Sequence, residues 1–375
     1  MKILHLAVEN FAGIPFRLVQ EERRRGHESR LITLLPSAQK YEEDIALRLP
    51  WSRLPQLQKV RSWIRGSRAQ MIDNLRHQGR VKYWQPANVL DVFLFRMRDA
   101  LWMPTIQRAL RGLGGLESFD VIIADGGHDC TRFPRLLAET SVPIITCYYG
   151  SDVRVRGIID GVQRRARYTW TFEYDHTLLL PSAEFLLYPY TPPVYAPKVE
   201  YIPPQQGDTI RVGHAPTNRA AKGTKEIMSV LRSLQSEFPI EIIMIEGVSH
   251  REALHRKATC HCFIDQIGEL GYGVNALESL AMGIPTAVEL MPDFERYLQE
   301  YCGEAHPFYM CRRKYLEDDL RAMLNDMAAW RERGKQGQRW VGNHHSVAAV
   351  VERYLPTVEQ IVQQSKNSLG FGSNR

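Results

Sequence analysis

The sequence has no apolar run that approaches a membrane-spanning helix, which needs about 20 consecutive apolar residues. Its first residues, MKILHLAVENFAG, hold one lysine and a short apolar stretch. They lack the longer apolar region and small-residue cleavage site of a secretory signal peptide. This stretch is typical of a first β-strand, and we expect a cytoplasmic protein.

Cysteine is scarce, with six residues spread over 375 positions. The close pair Cys260 and Cys262 has no second pair at the spacing that a structural zinc site requires. Small apolar side chains entering a strand, CHCFIDQI, account for the pair. The pattern predicts reduced thiols, no metal site and no cofactor.

Positive charge is concentrated in one segment. The chain carries a net charge of +6, whereas residues 51–111 hold 12 Lys and Arg against three Asp, which gives 12 − 3 = +9. This segment is also rich in tryptophan. Three interpretations remain open: a helical insertion with a solvated cationic face, a docking surface for an anionic membrane, and a site for an acidic glycan or nucleic acid. No nucleic-acid motif accompanies the segment, so we expect no nucleic-acid partner.

The first half of the chain alternates between strand and helix patterns. KILHLAV and SRLITLL are predicted strands, and FRLVQEERRRGH between them is a predicted helix that ends at Gly26. This order begins a doubly wound α/β domain. A basic, helical pattern from about 40 to 112 interrupts the alternation. Strands at Phe119–Ala124 and Pro143–Tyr148, with a helix at Thr131–Ala138, resume it, and HTLLLPSAEFLLYPY adds a strand and a short helix.

Residues 190–208 hold five prolines, which exclude a helix and favour a domain linker. Alternation then restarts with the strands TIRVGHA, PIEIIMI, HCFIDQI and IPTAVEL, and Ser249 is a predicted helix cap. The predicted fold class is α/β, with two Rossmann-like domains facing across a cleft. We assign residues 1–200, with the basic insertion, to the first domain and residues 205–350 to the second. A C-terminal helix and flexible tail follow at 351–375.

Two motifs, HAPTNRAAKGTKEI and GYGVNALESLAMGIPT, resemble bacterial retaining glycosyltransferases of the GT-B fold, and most closely glycosyltransferase family four. The resemblance is strongest over Arg211–Val288. It implies transfer of a sugar from a nucleotide-diphosphate-sugar donor to an acceptor hydroxyl, with retention of anomeric configuration and without an obligatory metal. It also implies that the C-terminal domain holds the donor and the N-terminal domain the acceptor.

The resemblance implies a donor site around Glu278, which would accept hydrogen bonds from the ribose hydroxyls. The preceding loop would offer backbone amides to the phosphates, because glycines let a ligand approach the start of a helix closely. The loop residues are Gly271, Tyr272, Gly273 and Val274. Two local alternatives remain open. The loop is also typical of a plain strand-to-helix turn, and Asn275 and Glu278 have the spacing of a capping box.

Arg219 and Lys222 follow the strand TIRVGHA, at the edge of the sheet where ligands bind in doubly wound domains. The resemblance implies that this pair stabilises the diphosphate as it leaves. A solvated basic turn is the alternative. The resemblance also places Glu246, at the end of IEIIMI, near the nucleotide base.

In the first half, Gly13 follows the first strand, where a glycine would let acceptor or phosphate approach the backbone. His128, in ADGGHD, is a candidate for contacting or organising the reacting groups, and Asp125 and Asp129 compete with it for that role. A plain turn and a structural histidine are the alternatives.

Asp152 and Arg154 follow the strand ITCYY in the loop GSDVR. The resemblance favours a role in binding the acceptor or the sugar. A salt-bridged loop is the alternative.

Glu269 departs from the family pattern. The family places two glutamates eight positions apart, and eight positions before Glu278 stands Leu270. We predict that Glu269, Asp265 or a main-chain group replaces the missing contact to the donor sugar, which makes Glu269 a catalytic candidate.

The sequence therefore predicts a hexosyltransferase of cell-surface, lipid-linked or other glycoconjugate synthesis, in the cytoplasm or peripheral at the inner face of the membrane. Its partners would be the donor and a hydroxyl acceptor. A nucleotide-sugar epimerase on the same fold and a non-catalytic nucleotide-sugar-binding protein are the rivals. Fold alone does not choose among them.

Overall fold

The computed structural model describes residues 1–37, 41–49, 81–131, 136–150, 152–198, 200–268 and 271–370. The chain divides into two compact units, of which unit 1 is Met1–Leu186 with Val351–Arg375 and unit 2 is Leu187–Val350. The boundary thus falls just before the proline-rich stretch, and the C-terminal segment belongs with unit 1. None of the described helices is long and apolar enough to cross a membrane.

Unit 1 is built on a parallel sheet. Its strands are β1 Lys2–Ala7, β2 Glu28–Thr33, β3 Ile45–Ala46, β4 Val121–Asp125, β5 Ile144–Tyr148, β6 Ala166–Thr171 and β7 Glu184–Phe185. Its helices are α1 Ile14–Arg24, α2 Val89–Gly112, α3 Leu136–Glu139, α4 Asp160–Gln163 and α5 Tyr174–Leu179. The strands lie in the order β3-β2-β1-β4-β5-β6-β7. The central strands β4 and β5 are buried throughout, as expected for a parallel sheet covered on both faces.

Unit 2 repeats this plan with a smaller parallel sheet. Its strands are β8 Ile210–His214, β9 Ile240–Met244, β10 Cys262–Gln266, β11 Thr286–Val288 and β12 Tyr309–Met310. Its helices are α6 Thr224–Leu234, α7 His250–Lys257, α8 Val274–Ala281, α9 Pro292–Cys302, α10 Leu316–Asn325 and α11 Trp330–Trp340. The strand order is β12-β11-β10-β8-β9. A last helix, α12 Val347–Gly370, starts in unit 2 and continues in unit 1.

The C-terminal helix belongs with unit 1 because of its buried aromatic contacts. Tyr354 donates its hydroxyl hydrogen bond to Glu22 on α1 (2.6 Å). Its ring stacks on Trp170 of β6, with 4.7 Å between the ring centroids. These contacts attach the end of the chain to elements near its beginning.

Several local predictions differ from the structure. β6 was not predicted, because ARYTWT is not the continuous apolar run by which the other strands were found. In HTLLLPSAEFLLYPY the helix, α5, precedes the short strand β7. The predicted cap at Ser249 is confirmed, since its Oγ accepts from the Glu252 amide at 3.3 Å. Of the insertion at 40–112, residues 50–80, which carry seven of its 14 Lys and Arg, lie outside the described residues.

Each sheet has one point where the order of its strands reverses. The reversal lies between β1 and β4 in unit 1 and between β8 and β10 in unit 2. The loops that leave the carboxyl ends of two such strands diverge and open a crevice, which is where doubly wound sheets bind ligands. Most of the predicted site residues follow these four strands.

Candidate functional site

Lys222, Asp265 and the Gly273 amide meet at the reversal point of unit 2. Lys222 Nζ lies 2.6 Å from Asp265 Oδ1, and both side chains are largely buried. Asp265 Oδ2 accepts from the Gly273 amide at 2.8 Å. The contacts join the loop after β8, the end of β10 and the start of α8. A side chain at position 273 would crowd this cluster, because a Cβ there would lie 3.3 Å from Lys222 Nζ.

The loop before α8 has the backbone that a close turn requires. Gly271 has φ +95°, and a Cβ there would lie 2.8 Å from the ring of Phe294. Gly273 caps α8 without a side-chain hydrogen bond. The first amides of a helix have no carbonyl four residues earlier to bond to inside the helix, and they form the positive end of its dipole. In α8 the Ala276 amide bonds to the Gly273 carbonyl at 3.0 Å. Asp265 places a carboxylate at this positive end.

Glu278 is buried, and both of its carboxylate oxygens have close partners. Its Oε1 lies 2.7 Å from His250 Nε2, and its Oε2 lies 2.5 Å from Lys257 Nζ. Burial opposes ionisation, but Lys257 and His250 outweigh it and lower the pKa of Glu278 to about 2. Glu278 is therefore a carboxylate at neutral pH and acts only as a hydrogen-bond acceptor.

The capping-box alternative for Glu278 is wrong. Gly273 is the residue that caps α8, and Asn275 lies inside the helix. The Asn275 side chain donates to the Ala215 carbonyl (3.0 Å) and accepts from Lys257 (3.0 Å). Asn275 thus connects α8 to the end of β8 and to α7.

Lys257 is a fully buried cation that the sequence did not identify. Beside Glu278 it donates to the Asn275 carbonyl at 3.1 Å, and its ammonium lies 4.6 Å from the centre of the Phe263 ring. His250 joins the same network, with Nδ1 2.8 Å from the Tyr195 hydroxyl. In the segment HREALHRK, Lys257 is one of several basic residues, and the sequence does not show that it is the buried one.

Arg219 and Glu246, predicted separately, pair with each other. Arg219 Nε lies 2.9 Å from Glu246 Oε1, and Nη2 lies 2.5 Å from Oε2. Hydrogen bonding from Arg219 lowers the pKa of Glu246. Since the arginine side chain is two-thirds exposed, the pair is solvated and contributes little to stability.

Tyr272 lies in an aromatic cluster. It is buried, and its hydroxyl lies 3.1 Å from His345 Nε2. Its ring packs against Phe294, Phe308 and Trp340. Any contribution of Tyr272 to a donor site would therefore come from its backbone.

Glu269 and Leu270 lie outside the described residues.

Asp125 belongs to a buried charge network in unit 1. His5 Nδ1 lies 2.8 Å from Asp125 Oδ2, and Nε2 lies 3.2 Å from Glu22 Oε2. Burial opposes the charge on His5, but the Glu22 and Asp125 carboxylates outweigh it and raise the pKa of His5 to about 10. Tyr149 donates to the second oxygen of Asp125 at 2.7 Å. The sequence signal that could have indicated this network is the histidine inside the otherwise apolar strand KILHLA.

His128 pairs with an arginine. Arg156 donates to His128 Nε2 and to the Gly126 carbonyl. A guanidinium has no acceptor, so Nε2 must accept, which requires the neutral ring. Asp152 joins the group, with Oδ1 3.1 Å from Arg156 Nη1 and Oδ2 accepting from the Tyr149 amide at 3.0 Å. The structure thus brings His128 and Asp152 together around Arg156, which was not predicted.

Arg154 forms the salt-bridged loop that was the alternative to a substrate role. Its Nη2 lies 2.6 Å from Glu173 Oε2, and its Nε donates to Asp175 at 2.7 Å. Burial opposes its charge, but the two carboxylates prevail and raise the pKa of Arg154.

Gly13 lies in the left-handed region (φ +73°) and caps α1. A Cβ there would lie 3.1 Å from Tyr41. The turn therefore needs a glycine for its own geometry.

No protein-family model and no curated protein matches the sequence. Solved structures match nearly the whole chain. The glycosyltransferase SnogD from Streptomyces nogalater has a TM-score of 0.50 at 15% identity, over 95% of this chain and 99% of that chain. An α-glucosyltransferase in complex with UDP and a mismatched 13-mer DNA has a TM-score of 0.55 at 10% identity, over 96% and 100%. A protein assigned as a UDP-N-acetylglucosamine 2-epimerase from Listeria monocytogenes has a TM-score of 0.50 at 10% identity, over 97% and 97%.

At these identities the likeness concerns the fold. Two units, each an α/β domain on a parallel sheet, match glycosyltransferase structures over their full length. The predicted GT-B fold class is confirmed.

Proposed function

We propose that this protein is a glycosyltransferase that moves a sugar from a nucleotide-diphosphate sugar to an acceptor hydroxyl, with retention of anomeric configuration. The cluster of Lys222, Asp265 and the Gly273 amide, at the reversal point of unit 2, carries the proposal. It combines a cation with the positive end of α8, the two features that recognise a diphosphate. Glycosyltransferases of known structure share the fold.

Lys222 and the first-turn amides of α8 would stabilise the negative charge that develops on the leaving diphosphate. Lys222 has three donors, and Asp265 takes one of them among the described residues. Arg219 would add a second cation, since its exposed pair with Glu246 opens at little cost. The proposal includes no metal ion: Lys222, the α8 amides and, once it leaves Glu246, Arg219 are the groups that would face the diphosphate.

Glu278 would bind the ribose of the donor. Among the described residues each of its oxygens accepts one hydrogen bond, and each has a second lone pair. Ribose hydroxyls would therefore add to the contacts with Lys257 and His250. The strong ionisation of Glu278 favours this acceptor role.

Retention requires that acceptor and leaving group occupy one face of the sugar. In this proposal a phosphate oxygen of the donor takes the proton of the acceptor, so no protein base acts at the reacting centre. His128 is hydrogen-bonded to Arg156, and Asp125 is hydrogen-bonded to His5 and Tyr149. These contacts are consistent with a reaction in which neither side chain acts as the base. The acceptor would be a glycan, a lipid-linked sugar or another hydroxyl compound of glycoconjugate synthesis.

A panel of nucleotide sugars tests the proposal. Each would be incubated with the protein, and free nucleoside diphosphate and the identity of the remaining sugar would be measured. Slow release of nucleoside diphosphate from one donor supports a transferase. Interconversion of the donor would show an epimerase, and binding without turnover would show a binding protein.

A further inference from the structure

Helix α2 has two apolar sides. On one side Phe95, Trp102, Ile106 and Leu110 are buried, and the last three belong to the core of unit 1. This side fixes the helix to the unit. On the other side six large apolar residues are exposed, namely Val89, Leu90, Phe93, Leu94, Met97 and Leu101.

The exposed residues form one continuous face, which we call the α2 stripe. Positions 89, 93, 97 and 101 recur every four residues, and 90 and 94 lie beside them. The stripe spans about 18 Å at 1.5 Å per residue. Val89 is 85% and Phe93 61% exposed. Scattered apolar residues are common on surfaces, whereas a contiguous group marks an interaction site.

Positive charge continues the same face. Arg108 follows Met97 by 11 residues and Arg111 follows Phe93 by 18, which are about three and five helical turns. Both arginines are exposed. The two carboxylates of the helix lie elsewhere: Asp91 accepts from the Ala87 amide before the helix, and Asp99 is buried.

We propose that the α2 stripe docks on an anionic phospholipid bilayer. Its apolar turns would enter the boundary between headgroups and acyl chains, and Arg108 and Arg111 would contact the lipid phosphates. The absence of an exposed carboxylate on this face of α2 suits an anionic surface. The site consists only of α2, and it does not depend on the transfer reaction proposed above.

Flotation with vesicles tests this docking. The full-length protein should bind vesicles of phosphatidylglycerol and phosphatidylcholine, and bind phosphatidylcholine alone at least about tenfold more weakly. The triple variant Leu90→Gln/Phe93→Gln/Leu94→Gln should lose at least about tenfold in binding. The matched control, Leu178→Gln/Val194→Ser/Ile202→Ser, removes three exposed apolar residues elsewhere and should bind as the wild type does.

A second variant, Arg108→Gln/Arg111→Gln, separates the electrostatic contribution. It should bind more weakly and with a smaller dependence on salt than the wild type. Circular dichroism would confirm that the variants are folded. Equal binding of the wild type to neutral vesicles, or unchanged binding of the triple variant, overturns the proposal. Analytical sedimentation tests the alternative that the stripe joins two copies of the chain. If the wild type is a dimer, and the triple variant is a monomer that still binds vesicles, the proposal is overturned.

Discussion

At the scale of single residues, buried charges determine what the candidate site can do. Glu278 was predicted as a ribose ligand on motif alone, and the sequence contained no sign that Lys257 and His250 would hold it. These partners come from α7, and a contact between two helices depends on packing that a single sequence does not reveal. The predicted residue was thus placed on the right element, while its electrostatic environment could not be foreseen.

Lys257→Met should destabilise the protein by about 3–5 kcal/mol, because it leaves the Glu278 carboxylate buried without its main cation. Urea unfolding measures the change. The double variant Lys257→Met/Glu278→Met should recover most of the loss, since neither charge remains. Arg256→Met, one position earlier and exposed, is the control and should cost less than about 1 kcal/mol. A single Lys257→Met variant as stable as this control would refute the account of the pair.

His5 predicts a pH dependence of stability. Its pKa is raised to about 10 in the folded protein from an ordinary value of 6.5. A raised pKa contributes stability that is complete below pH 6.5 and is lost as the pH rises toward 10. The free energy of unfolding should therefore fall over this range, by up to about 1.4 kcal/mol per pH unit. His5→Gln should remove that part of the slope, and an identical slope in both proteins would contradict the assignment.

At the scale of elements, alternation in the sequence predicted most strands because each is a short apolar run bounded by turn residues. β1, β4, β5 and β10 were found this way. β6 was missed because ARYTWT mixes polar and aromatic residues, unlike the continuous apolar runs by which the other strands were found, although Tyr168, Thr169 and Trp170 are residue types that favour strands. The sequence shows which loop positions are glycine. It does not show which atoms lie too close to leave room for a side chain at each of them.

Variants at Gly223 and Gly247 distinguish two reasons for a glycine, the backbone conformation and the lack of space for a side chain. Their φ angles are nearly equal, +66° and +67°. A Cβ at Gly223 would overlap Ile267, whereas none of the described atoms lies within 4 Å of one at Gly247. Gly223→Ala should therefore cost at least about 2 kcal/mol more than Gly247→Ala in thermal or urea unfolding. Equal losses would show that backbone conformation alone sets the requirement at Gly223.

At the scale of the whole molecule, the order of elements predicted two α/β units. The predicted division at residues 200–205 differs from the observed one, since unit 2 begins at Leu187, before the proline-rich stretch. The return of the C-terminal helix to unit 1 was not foreseen, because the contacts of Tyr354 with Glu22 and Trp170 join residues distant in sequence. The sequence allowed us to predict the candidate-site residues that directly follow the ends of strands. The identity of the donor and the acceptor was not, since neither leaves a recognisable pattern in the chain.

We propose above that the cluster around Lys222 binds and activates a nucleotide-diphosphate sugar. The most direct measurement is release of nucleoside diphosphate, with the best donor of the panel, by the wild type, Lys222→Met and Lys225→Met. Lys225 is exposed on α6 and serves as the matched control. Thermal melting would confirm that both variants are folded. We expect a loss of about 100-fold or more for Lys222→Met and wild-type release for Lys225→Met. Equal release by the folded Lys222→Met protein and the wild type would contradict it.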